Sequence, residues 1–344
     1  MLEQEVDKNF EKYHKNPAWD FWDAENGKAV FQHKDVSNSF NPKEYKRSGI
    51  FGYVKNKVLT YLLIATLAAT SAACIRRNPV GPEPNLESKV KIAFASNRDG
   101  DFEIYTMKPD GTEVRQLTFN DYKDGHPSWS PDGRIAFESN GNVCVMNSDG
   151  SNIIQLTAGY TPSFSPDGEK IAFELEKPKE PNSKQLYDIY VMGADGSNII
   201  KVTMQGEGAV YPSWSSIDKV AFSTDSALFP NEPDIYSVDL GTLRSERLIE
   251  GIYPSWSYQC DGFVYNNIAR EAGGGILEIY KIDINGNNQL LTEGYGANWG
   301  YSKNKVVFTH SNGAIQVINI DGSNKKTLTT EGENKFPSWS PILE

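Results

Sequence analysis

The sequence predicts an all-β fold, a six-bladed β-propeller of four-stranded antiparallel blades closed by its C-terminal strand, and three observations predict it. First, one punctuation recurs: Pro127-Ser128-Trp129-Ser130, Pro162-Ser163-Phe164-Ser165, Pro212-Ser213-Trp214-Ser215, Pro254-Ser255-Trp256-Ser257 and Pro337-Ser338-Trp339-Ser340, with Ala297-Asn298-Trp299-Gly300 as a degenerate copy. A period of about forty residues made of short strands marks a propeller or a solenoid. Second, a short apolar run of the kind a buried strand uses follows the punctuation: Ile135-Ala136-Phe137, Ile171-Ala172-Phe173, Val220-Ala221-Phe222, Phe263-Val264-Tyr265 and Val306-Val307-Phe308. Third, the count closes. With Pro-Ser-Trp-Ser as strand a and the apolar run as strand b, Ile92-Ala93-Phe94 is a b without an a, and Pro337 to Ser340 is an a without a b. Pairing them seals a ring and leaves no long open edge, whereas an open solenoid would strand both.

Taken in order, residues 1–53 are polar, mixed in charge and without a period, with Trp19, Phe21 and Trp22 hinting at a short amphipathic piece. Residues 54–74 have the three parts of an export signal: Lys55 and Lys57, the apolar Val58 to Ala69, and small residues ending at Cys74. The apolar run is short for a membrane span of roughly 20 residues. Small residues before a cysteine match a bacterial lipoprotein signal, in which Cys74 is acylated and becomes the mature N-terminus. Ser71-Ala72-Ala73 also suits ordinary signal peptidase, and an uncleaved anchor is a third reading, against which Arg76 and Arg77 argue. Because residues 54–74 alone have the length and order of such a signal, the expected biological start is near Val54, with residues 1–53 an artefact of the gene model. Residues 75–88 are a proline-rich tether that holds the body off the membrane.

Residues 89–344 carry the repeats. Strand c is Glu103-Ile104-Tyr105-Thr106-Met107, echoed at Val143, Ile189, Ile235, Ile279 and Ile315. The c–d turns are Asp110-Gly111, Asp149-Gly150, Asp195-Gly196, Asn285-Gly286 and Asp321-Gly322, dipeptides that support tight hairpins, with Asp239-Leu240-Gly241 in the fourth unit. Strand d ends in Leu117-Thr118, Leu156-Thr157, Val202-Thr203, Leu248-Ile249, Leu291-Thr292 and Leu328-Thr329. The Pro131-Asp132-Gly133 turn between a and b follows from the preset φ of proline and the tolerance of glycine for positive φ.

These repeats resemble the WD40-like repeats of the TolB-type β-propellers, through Trp129 to Gly133, Ile-Ala-Phe, Ser96-Asn97-Arg98-Asp99-Gly100, Ile104-Tyr105, Asp110-Gly111 and Leu117-Thr118. The resemblance covers residues 89–344. It implies a periplasmic or cell-surface binding module whose partner is an envelope protein such as a peptidoglycan-associated one. The family's namesake carries an α/β domain ahead of its propeller; here a short tether separates Cys74 from the first strand, which weighs against a full Tol–Pal role.

Composition bounds the partners. The chain of 344 residues is 38% hydrophobic, enough for one large repeat fold. A net charge of −11 and a pI near 5.0, with no basic run in the repeats, argue against phosphate-backbone binding, so no nucleic acid is expected. Three cysteines make no disulfide framework, and Cys144 reads as a buried thiol too far from Cys260 to bridge in a closed ring. The expected species is a monomer, held at the membrane through a lipid anchor.

Strand direction decides which loops share a face. The d–a and b–c loops lie on one side and vary; the a–b and c–d turns lie on the other and read as scaffold. The b–c loops from Glu174 to Asp188, Thr224 to Asp234 and Asn267 to Glu278 are long. Beside each strand a stands an aromatic or a histidine, namely His126, Tyr160, Tyr211, Tyr253, Tyr295 and Phe336, accompanied by Asp124, Glu207, Glu250 and Glu293 and by Asp121, Glu331 and Glu333. Two uses compete for the rings, plugging the channel between blades and binding a peptide, a basic surface or a sugar. The strand-a tryptophans alternate with serine and read as core. Ser96 to Asp101 gathers oxygen ligands and is compatible with Ca²⁺, but it lacks full calcium-loop spacing and reads first as a hairpin turn; no other cofactor is expected. Only His126 and His310 fall in the repeats, and no G-x-S-x-G elbow occurs, so the expectation is a non-enzymatic binding module. The alternative is a carbohydrate-binding or carbohydrate-active propeller, which needs a carboxylate pair at glycosidase spacing.

Overall fold

The structure is a computed structural model that describes residues 89–178, 186–203, 208–216, 218–224, 233–257, 261–269, 276–300 and 304–342. The expectations for residues 1–88, including Cys74, and those for Glu207 and Cys260 lie outside the described residues.

Six four-stranded antiparallel sheets form the blades. The first begins with β1 (Ile92–Ser96), β2 (Glu103–Met107) and β3 (Arg115–Gln116). The second is β4 (Asp124–Trp129), β5 (Ile135–Ser139), β6 (Asn142–Met146) and β7 (Ile154–Ala158). The third is β8 (Tyr160–Phe164), β9 (Lys170–Glu176), β10 (Tyr187–Gly193) and β11 (Ile200–Lys201). The fourth is β12 (Ala209–Ser216), β13 (Lys219–Thr224), β14 (Asp234–Asp239) and β15 (Ser245–Glu250). The fifth is β16 (Ile252–Trp256), β17 (Gly262–Ala269), β18 (Ile276–Asp283) and β19 (Asn288–Glu293). The sixth is β20 (Tyr295–Asn298), β21 (Lys305–Thr309), β22 (Ile315–Asn319) and β23 (Lys326–Thr327). The last strand, β24 (Asn334–Trp339), returns to complete the first blade.

That closure is the expected one. Trp339 pairs with Ile92 and Asn334 with Ser96. Beyond the strand ends, the Ser340 N–H donates to the Lys91 carbonyl at 2.8 Å, and the Lys91 N–H donates to Ser340 Oγ at 2.7 Å.

The core lies between blades. Ala93, Ile104 and Leu117 of the first blade pack against Trp129, Ile135, Phe137, Cys144 and Met146 of the second. On the opposite side of β1, Ile92 and Phe94 meet Val307, Ile315 and Val317 of the sixth blade. Both faces of strand b are therefore buried, which is why it reads as an unbroken apolar run rather than an alternation. The strand-a ring residues Trp129, Phe164, Trp214, Trp256, Trp299 and Trp339 are all buried, as core residues should be. Cys144 is buried beside them, and burial pushes its thiol up to about 11.

The Leu-Thr endings of strand d have a physical cause. The Leu117 N–H donates to the Ile104 carbonyl at 2.8 Å, and Thr118 Oγ1 accepts the Ile104 N–H at 2.9 Å. The hydroxyl stands in for a backbone carbonyl where the strand stops, and Thr203 and Thr329 repeat this toward Ile189 and Ile315. The c–d turns also tie neighbouring blades together. Gly150 has φ +87°, and a Cβ there would lie 2.8 Å from the Leu117 carbonyl of the preceding blade. Glycine is required at that position both for the turn and for the approach.

Two of the long b–c connections are shorter than the sequence suggested. In the third blade the hairpin continues through Glu176 paired with Tyr187, and in the fifth through Ala269 paired with Ile276. Residues that read as loop are strand extensions there.

Candidate functional site

Each inner strand enters the ring through the same irregularity. The pairing of strand a with strand b slips by a bulge between Gly125 and Ser128, Tyr160 and Ser163, Val210 and Ser213, Ile252 and Ser255, and Tyr295 and Asn298, and again where β24 meets β1. At the bulge stands one residue in the left-handed region: His126 at φ 49°, Thr161 at 46°, Tyr211 at 57°, Tyr253 at 54°, Gly296 at 58° and Phe336 at 51°. Side chains other than glycine rarely adopt this conformation, and a β-branched threonine least of all. The left-handed conformation recurs in every blade, strained in all but Gly296, and turns one residue per blade toward the axis.

Four of these side chains close the channel mouth. His126 and Phe336, from adjacent blades, have ring centroids 3.9 Å apart; Tyr211 and Tyr253, from the next adjacent pair around the ring, lie 4.2 Å apart. The pairs meet through His126 and Tyr211 at 6.4 Å and Tyr253 and Phe336 at 6.5 Å, and the Tyr253 hydroxyl donates to that of Tyr211 at 3.3 Å. Blades three and six, on opposite sides, supply the small Thr161 and Gly296, and that leaves room for the four rings to meet. Below the rings, a cavity of about 140 Å³ is walled by the prolines and serines of the inner strands. Ser128 Oγ accepts the Phe164 N–H of the next blade at 3.0 Å, which binds one inner strand to the next.

Sequence reasoning placed Tyr160 and Tyr295 in this ring, and here it needs correction. Each stands one residue before the bulge position, which belongs to Thr161 and Gly296. Tyr160 turns outward, packing edge-on against Tyr187 and donating to Glu176 at 3.0 Å. Tyr295 is half-buried and touches the ring only from its rim, edge-on to Phe336 at 6.4 Å.

The acidic residues divide similarly. Glu293 is exposed, Glu250 is half-buried opposite Asp234, and Glu333 pairs with Lys335 at 2.8 Å on the rim. Asp121 and Glu331 are exposed. Asp124 is buried at the junction of the first and second blades.

Two carboxylates that the sequence reading passed over lie under the aromatic lid. Glu138 and Glu174 each follow the aromatic of strand b, where the other blades carry Ala95, Ser223, Asn266 and Thr309. That departure from the repeat was the available signal. Glu138 meets His126 Nδ1 at 3.1 Å. Glu174 accepts the Tyr211 N–H at 2.7 Å and the Thr161 hydroxyl. Burial pushes the Glu174 carboxyl up to about 7, against the lowering effect of those two hydrogen bonds and of His126, with Glu138 adding to the rise. The rings plug the mouth, one of the two uses foreseen for them, and present an aromatic floor between rim carboxylates. Glu174 serves the lid, one oxygen accepting both the Thr161 hydroxyl and the Tyr211 backbone N–H at the strained positions.

A family profile described as TolB beta propeller domain matches residues 157–343, more than half of the chain. The chain belongs to this family. Among curated relatives, the TolB-type propeller here is 22% identical over 244 residues to the Tol-Pal system protein TolB of Francisella tularensis subsp. holarctica (strain OSU18), an alignment covering 62% of this chain and 54% of the relative. It is 35% identical over 79 residues to the TolB homolog of Chlorobium luteolum, covering 23% of this chain and 18% of the relative. The chain thus spans about half the length of the first of these relatives. Among solved structures, TolB from Acinetobacter baumannii superposes with a TM-score of 0.62 at 20% identity, covering 75% of this chain and 68% of that one. Putative TolB from Agrobacterium tumefaciens gives 0.54 at 18% identity, covering 74% and 93%. At these identities the superpositions establish the shared fold of the TolB-type propeller.

Proposed function

We propose that this TolB-type propeller is a non-enzymatic binding module of the cell envelope that engages a protein partner through its loop face. The observation that carries this reading is the mouth itself: four rings on a strained, recurrent backbone, flanked by rim carboxylates, on the face where loops vary. Aromatic side chains supply contact area at low entropic cost, and the acidic rim favours a partner segment carrying lysine or arginine. The relatives' names place them in the Tol-Pal system. Carried to this chain, that association suggests an envelope partner such as a peptidoglycan-associated protein. Export through residues 54–74 with acylation at Cys74 would hold the propeller at the membrane on the periplasmic or outer side.

The test is affinity capture from the native envelope with the full chain, beside a Tyr211→Ala/Tyr253→Ala variant. One partner identified by mass spectrometry, bound by the wild type and lost at least tenfold by the variant, is the expected result. Equal capture by both moves the binding surface off the mouth. Retention of envelope glycans in place of protein would replace this reading with the carbohydrate one.

A further inference from the structure

At the junction of the first and second blades, we propose a Ca²⁺ site formed by the carboxylates of Asp99, Asp101 and Glu103 and completed by Asp124. Ligand oxygens of the first three lie within 4.8 Å of one another. They sit on alternate residues entering β2, a spacing that turns successive carboxylates of a hairpin toward one centre. The fourth group is independent of that hairpin. Asp124 opens β4, is 1% exposed, and its carboxylate is within hydrogen-bonding reach of Glu103. Its Oδ1 is enclosed without a donor, and so is Oδ2 of Asp101. Enclosed carboxylate oxygens are costly unless paired or bound to a cation.

Glu103 is the first residue of strand c, and in the third blade that place is taken by Asp188. Asp188 is also buried and accepts a threonine hydroxyl, from Thr203 at 3.0 Å, as Glu103 does from Thr118. But Asp188 is neutralised by Lys177 at 3.1 Å and Lys201 at 2.5 Å. In the fourth blade Asp234 holds Arg247 at 2.5 Å. Among the described residues, no lysine or arginine pairs with Asp99, Asp101, Glu103 or Asp124; Arg98, the nearest in sequence, is spent on Ser96, Asn334 and the Tyr105 face. The junction of the first and second blades gathers four carboxylates where the third and fourth blades supply a cation. An all-oxygen, carboxylate-rich set suits Ca²⁺ better than Mg²⁺, which keeps its waters and demands tighter geometry.

Calcium titration of the EDTA-stripped full chain, by calorimetry and by thermal melting, tests the site. The expected result is one saturable site of about 10⁻⁴–10⁻³ M, the range of extracellular modules. Mg²⁺ should bind at least tenfold more weakly. Asp101→Asn, at a half-exposed position, should weaken Ca²⁺ at least tenfold and remove the calcium-dependent rise in Tm. Asp124→Asn should do the same while raising the Tm in EDTA, because it relieves the enclosed repulsion. No saturable binding by the wild type, equal binding of Mg²⁺, or unchanged Ca²⁺ affinity in Asp101→Asn would each overturn the assignment.

Discussion

At the turn end of the channel, side chain and backbone repeat together. The Ser130 N–H donates to the Arg134 carbonyl at 2.9 Å, and Ser165 does the same to Lys170 at 2.9 Å; in both turns the serine hydroxyl donates to the following aspartate. The c–d turns on that face repeat as well: the carboxyls of Asp110, Asp149, Asp195 and Asp321 are each held below the usual range by a hydroxyl and an N–H two residues on. At the loop end only the backbone repeats. The same left-handed bulge presents histidine, threonine, tyrosine, tyrosine, glycine and phenylalanine in turn. The difference separates what builds the ring from what distinguishes it from other rings: chemistry that satisfies a fixed geometry recurs, and chemistry offered outward at a fixed geometry does not.

The comparison breaks if scaffold and mouth respond alike to substitution. Trp339→Ala, which hollows the core at the closing strand, should cost about 3–5 kcal/mol in urea unfolding. A loss under about 1 kcal/mol would mean that β24 contributes little to the ring. The mouth is expected to answer to pH instead. Between the ordinary carboxyl value of 4.5 and about 7, the folded state holds the Glu174 proton more tightly than the unfolded chain. Wild-type stability should therefore fall as pH rises through that window. Glu174→Gln should be more stable than wild type by up to about 3 kcal/mol at pH ~8, with no such gain near pH ~4.5. A pH-independent difference would show that the hydrogen bonds to Tyr211 and Thr161, not the charge, decide the effect.

Two glycines sharpen the contrast at smaller scale. Gly150→Ala meets a backbone carbonyl on the turn face and should cost about 1–3 kcal/mol by thermal or urea melting. Gly296→Ala, at the mouth, meets only the edge of the Phe336 ring at 3.2 Å. It should cost about 1 kcal/mol, the left-handed penalty alone. Equal costs would mean that the lid is packed as rigidly as the turns.

Much of this was legible in the sequence because the repeat is legible. Turn dipeptides, the Ile-Ala-Phe strands and the unmatched a and b units specified six blades and their closure, and the alternation of tryptophan with serine marked the core. The mouth was misread by one residue in two blades. The bulge fixes the inward residue at a set distance before strand a, immediately ahead of the proline where there is one. In blades three and six an aromatic happens to precede that place, and residue type drew attention away from position. Glu138 and Glu174 escaped for a different reason: Glu138 sits inside a motif that looked purely structural, and Glu174 read only as the start of a long b–c loop. The partnership of Asp124 with Glu103 joins residues from two blades, and no local pattern in either strand announces it.

The hydrogen bond from Lys91 to Ser340 joins residues 249 positions apart. A ribosome releases the first of them long before the second. Until the final strand emerges, the first blade has three strands and offers the bare edge of β1 to any other chain nearby. Ring closure is then a late event that follows synthesis, and contacts of such long range are slow to form. A chain clipped before Asn334 would keep nearly all of its fold-building residues and still lack a seal. The closing strand thus acts as a checkpoint, because only a chain translated through β24 can hide the edge that would otherwise recruit its neighbours into aggregates.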